Sequence, residues 1–72
     1  MKYFVNEKEV GYAIYMAIAR IERLKSEKFA AARRMDVREC IAFEDEISYQ
    51  LSKLSPEWRE VAMHGPELRV VE

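Results

Sequence analysis

Seventy-two residues leave room for one small domain, whose core would ordinarily contribute only about 3–5 kcal/mol unless a disulfide, a metal or oligomerisation assists it. Cys40 is the only cysteine and His64 the only histidine, which excludes an intramolecular disulfide and a Cys/His zinc cage. The net charge of −1 gives no overall attraction to nucleic acid or membrane, although residues 20–39 carry seven Arg/Lys against four Asp/Glu and residues 40–60 carry two against five.

Lys2–Val5 reads as a short extended piece, able to pair with a second one at Leu68–Val71. Asn6-Glu7-Lys8-Glu9 has the form of a capping box, with Val5 and Val10 at the positions of a hydrophobic staple, and so predicts a helix start at Glu7. A signal-peptide reading of residues 1–19 is disfavoured by Glu7 and Glu9, which spoil the positive start.

Val10–Ala19 (VGYAIYMAIA) has no charge on any face, yet ten residues are too few to span a bilayer. From Val10 a stripe of alternating four- and three-residue steps continues through Ile14, Ala17, Ile21, Leu24, Lys28, Ala31 and Met35. Extended further it would fall on Arg38, Ala42 and Asp45, so the hydrophobic phase breaks at Asp36. There a second capping box, Asp36-Val37-Arg38-Glu39, flanked by Met35 and Cys40, starts a second helix with a seam of Val37, Cys40, Glu44, Ile47, Leu51 and Leu54. Ser55-Pro56-Glu57 opens a third helix that His64-Gly65-Pro66 ends. The expected fold is therefore all-α: an antiparallel helical hairpin over residues 7–34 and 37–54, a short third helix over 56–63, and extended termini.

A turn at Arg34–Asp36 makes facing residues of the hairpin sum to about 72, which sets Ile21 against Leu51, Ile14 against Trp58 and Lys28 against Glu44. Lys28 and Glu44 are the charged residues inside the two seams, and their pairing is read as a register-fixing ion pair. The first helix is the longer, so its uncharged beginning overhangs the second. The third helix can cover the Val10/Ile14/Ala17 side, which leaves Tyr12, Tyr15, Met16 and Ala19, with Ile18, as the candidate partner interface. A core role for these residues beneath the terminal segments is the competing reading.

No residue pattern points to catalysis, metal or cofactor. Glu44-Asp45-Glu46 are successive helix positions about 100° apart and cannot converge on one ion. Cys40 lacks an activating histidine, and His64 reads as a helix-terminus residue. Arg33, Arg34 and Arg38 cluster at the turn; Arg33 and Arg34 complement the C-terminal dipole of the first helix, or alternatively all three grip phosphates of a nucleic acid or nucleotide. The sequence thus favours a small non-enzymatic cytoplasmic binding protein of adaptor or inhibitor type, oligomeric or bound to a partner protein, with phosphate binding at the turn as the alternative. The lone thiol is the ground for the cytoplasmic expectation.

Overall fold

The computed structural model describes residues 1–72 as β1 (Lys2–Val5), β2 (Lys8–Val10), α1 (Tyr12–Arg33), α2 (Val37–Ser52), α3 (Pro56–Met63) and β3 (Leu68–Val71). The fold is mainly helical, built on a long hairpin of α1 and α2. An all-α class is not what forms, because the termini and residues 8–10 make a three-stranded antiparallel sheet of order β2-β1-β3. The longest dimension, 38 Å, is close to the ~33 Å that a 22-residue helix spans at 1.5 Å per residue.

The first capping box is where the structure departs furthest from expectation. Asn6 and Glu7 both take positive φ, 50° and 67°, and form the two-residue turn of a β-hairpin in which Val5 pairs with Lys8. Two consecutive left-handed residues give the turn whose twist matches the flanking strands, and Asn tolerates that conformation better than most side chains. Asn6 is recruited by the residue leading into β3 rather than by a helix: its N–H donates to the Glu67 carbonyl at 2.9 Å, and its Oδ1 accepts from the Glu67 N–H at 2.8 Å. Arg69 of β3 reaches the Glu7 carboxylate at 2.9 Å. The helix consequently starts five residues later than predicted, at Tyr12, with Gly11 as its N-cap; the Gly11 carbonyl accepts from the Tyr15 N–H at 3.1 Å.

The expected pairing of the two termini does form, in the register Lys2 with Val71 through Val5 with Leu68. Alternation along β1 divides the sheet. Tyr3 and Val5 turn toward the helices, whereas Phe4 faces outward beneath the Arg69 guanidinium, 4.5 Å from its ring centre.

Half of the second capping box forms, since the Glu39 carboxylate bonds Arg34 and does not reach back to the Asp36 N–H. The Asp36 carboxylate accepts from the Glu39 N–H at 3.1 Å and α2 begins at Val37. On the other side of the turn, α1 closes with crossed bonds from Asp36 N–H to Ala31 O (2.9 Å) and from Met35 N–H to Ala32 O (3.0 Å). These satisfy the last carbonyls and require Met35 to be left-handed, with φ 58°. α3 starts at Pro56, as its first-turn proline predicts, and the Arg59 side chain caps the end of α2 by donating to the carbonyls of Leu51 and Leu54 at 3.1 Å each.

The core is a cluster of Val5, Ile18, Ile21, Leu24, Ile47, Leu54 and Ala62, drawn from every layer. It sits where the sheet, α3 and the lower half of the hairpin meet. α2 runs for 16 residues against 22 in α1, so the start of α1 does overhang α2, and β1 together with α3 covers much of it.

Candidate interaction surfaces

The pairing rule for the hairpin holds at its most specific point: Lys28 Nζ donates to Glu44 Oε2 across the seam. Both side chains remain substantially exposed, 42% and 55%, so the pair is a solvated register marker and not a buried charge. On one side of this pair the α1–α2 groove is lined by Lys28, Ala32, Met35, Val37 and Ile41; on the other it continues along Ile21, Phe29, Ile47 and Leu51 to Met63 of α3. The two stretches share Lys28, Ala32 and Glu44 and form one trough along the outer half of the hairpin. Large apolar side chains on it lie open to solvent: Phe29 is 67% exposed, Ile41 58% and Met35 86%. α3 closes the trough at its inner end, where Lys25 Nζ donates to the Ala62 carbonyl at 2.5 Å.

This trough was not anticipated from the sequence. The signal was present in Phe29 and Ala32, three apart on α1, and in Val37 and Ile41, four apart on α2. Phe29, Ala32 and Ile41 flank the seam stripes, and Val37 was counted within one of them, so the surface they form together was masked.

The five residues expected to form the partner face are divided by the fold. Ile18 is fully buried and belongs to the core, so it is removed from that face; at 100° per residue it points with Ile21, and not with Tyr12 or Met16. Tyr15 is half-buried beneath Tyr3, ring centres 5.0 Å apart, and Tyr12 meets the same Tyr3 ring edge-on at 5.4 Å. Ala19 is half-buried. Tyr12 and Met16 keep most or much of their surface in solvent, and Met16 borders a shallow depression with Ala13, Arg20, Gln50 and Lys53. That depression lies across the α1–α2 seam from the trough, since Met16 and Phe29 point about 140° apart around α1. The competing core reading therefore describes Tyr15 and Ile18, whereas Tyr12 and Met16 remain open to solvent.

The basic cluster at the turn is partly neutralised. Arg34 bonds Glu39 at 2.5 Å, Arg23 bonds Glu27 at 3.3 Å and Lys28 holds Glu44, which leaves Arg33 and Arg38 exposed without an ion-pair partner. Cys40 is half-buried with its thiol 3.8 Å from the Lys28 carbonyl. His64 ends α3 and its ring lies 2.9 Å from Glu60 one turn back. No group of three or more His, Cys, Asp or Glu side chains converges to hold a metal, and no helix is long and apolar enough to cross a membrane.

Neither the protein-family models, nor the curated proteins, nor the solved structures compared with this chain gave a match.

Proposed function

We propose that this chain is a small non-enzymatic binding protein of adaptor or inhibitor type that acts through protein–protein contacts of an apolar helix face. The observation carrying this reading is the trough of the hairpin, in which Phe29, Met35, Val37, Ile41 and Met63 stand open along one groove beside a buried core. Exposed apolar side chains grouped along one groove, rimmed by charge, are the composition of a contact surface. Tyr12 and Met16 form a second, smaller patch. The phosphate-binding alternative rests on Arg33 and Arg38 alone, with Asp36 and Glu39 beside them.

The test is affinity capture from the source cell using the wild-type chain, Ile41→Glu and Arg33→Gln/Arg38→Gln, each with and without nuclease. The proposal expects a protein partner that resists nuclease and moderate salt and is lost with Ile41→Glu. Partners that disappear with nuclease or with the arginine substitutions would replace it by the alternative, because phosphate contacts weaken steeply with salt whereas apolar ones do not.

A further inference from the structure

Resting on that reading, we infer that the occupant of the trough is a second copy of this chain, docked hairpin against hairpin about a two-fold axis that crosses α1 and α2 near the level of Lys28 and Glu44. Three observations lead there.

The first is charge. The trough carries one cation and one anion side by side at its middle, Lys28 on α1 and Glu44 on α2, while the remaining charge on its lining, Lys25 at the inner end, is held by Glu22 and the Ala62 carbonyl. A partner of one sign would meet an opposed charge and a like charge in the same place. A copy related by a two-fold axis brings two lysines and two glutamates into a single layer with no net charge, a self-complementary arrangement that also fixes the register of the two hairpins.

The second is shape. α3 occupies the inner end of the trough, where Met63 lines it, and the outer end at Met35 and Val37 is open. Two copies pointing the same way would bring α3 against α3 and hold the hairpins apart. Two copies pointing in opposite directions place each tip beside the partner's Met63, keep both α3 helices outside the overlap, and form a four-helix layer from the outer halves of α1 and α2.

The third is area. Phe29, Met35, Val37, Ile41 and Met63 present apolar surface on the order of 600 Å² in one chain. A two-fold contact that covers the patch on both copies buries about 1,200 Å² in total, the lower bound for specific interfaces, so this chain alone supplies enough surface for a pair.

Sedimentation equilibrium of the intact chain up to about 500 μM tests the inference. The wild type is expected to form a dimer. Phe29→Glu and Ile41→Glu, both at exposed positions and each checked for unchanged helicity, should weaken it at least tenfold, roughly the loss of one good contact residue. Met16→Glu, across the seam, should leave it within about twofold. Lys28→Glu sets four carboxylates in the central layer and should weaken the dimer, and adding Glu44→Lys should restore it; this arm stands even if an apolar-to-glutamate variant fails to fold. A wild type that stays monomeric, a dimer indifferent to both Phe29→Glu and Ile41→Glu, or one disrupted by Met16→Glu would overturn the inference. A monomeric chain whose capture of some other protein is lost with Ile41→Glu refutes self-pairing and keeps the wider binding reading, whereas a monomeric chain with capture unaffected by that substitution refutes both.

Discussion

Replacing Glu7 with glycine separates the helix-start reading of Asn6–Glu9 from the hairpin by the sign of its effect. If Glu7 were the first residue of a helix, glycine would remove a first-turn carboxylate and add backbone freedom, a loss of about 1 kcal/mol. In the hairpin, Glu7 sits at φ 67°, where a residue with a Cβ carries about 1–2 kcal/mol of strain that glycine relieves. Two terms oppose that gain. Glycine is freer in the unfolded chain by about 0.4–1 kcal/mol, and the Glu7–Arg69 pair, exposed at both ends, contributes only a few tenths. The net expectation is a stabilisation of about 0.5 kcal/mol, which for a domain this small raises the melting temperature by roughly 2–4 °C. Urea unfolding and calorimetry both resolve such a change, and raising the salt should enlarge the gain slightly because the wild type loses its ion pair as well. A destabilisation of about 0.5 kcal/mol or more would refute the turn and restore the capping box.

Three further substitutions probe the rest of the scaffold. Asp36→Ala removes the cap on the Glu39 N–H and should cost about 1 kcal/mol by urea unfolding; no change would mean that the cap does not hold the start of α2. Ile18→Ala empties a fully buried site and should cost about 2–4 kcal/mol, enough to leave a chain of this size largely unfolded by circular dichroism, whereas a well-folded variant would contradict the core assignment. The cycle of Lys28→Met and Glu44→Leu, measured at low micromolar concentration, should give each single change a small destabilisation and a coupling below about 1 kcal/mol, as exposures of 42% and 55% imply; strict additivity would show that the pair does not interact.

The residues explain which parts of this fold were legible in advance. Asp36 and Pro56 mark helix starts through local chemistry that competes with nothing else, and both helices begin where those residues place them. The seam stripe fixes the register closely enough to put Lys28 on Glu44, because a helix repeats its face every 3.6 residues whatever surrounds it. Asn6 was ambiguous in a way local sequence does not resolve: the same side chain caps helices and tolerates the left-handed turn. What decides is Glu67, 61 residues away at the entry to β3, whose backbone N–H and carbonyl both bond Asn6. Ile18 was misplaced for a related reason, since the element covering that side of α1 is a sheet formed from the two ends of the chain. The trough escaped notice because a one-dimensional stripe records the residues two helices present to each other. Phe29 and Ile41, which flank that stripe, become a surface only once α3 is seen to stop at Met63.

The most direct test of where this protein makes its contacts is a map of backbone amide shifts in the ¹⁵N-labelled chain as its concentration is raised and as any captured partner is added. Progressive shifts at Lys28–Ala32, Met35–Glu44 and Met63, with Ala13, Met16 and Lys53 unmoved, are the result expected of a contact surface on the outer hairpin. Shifts confined to the Tyr12–Met16 side, or none in either titration, would contradict it.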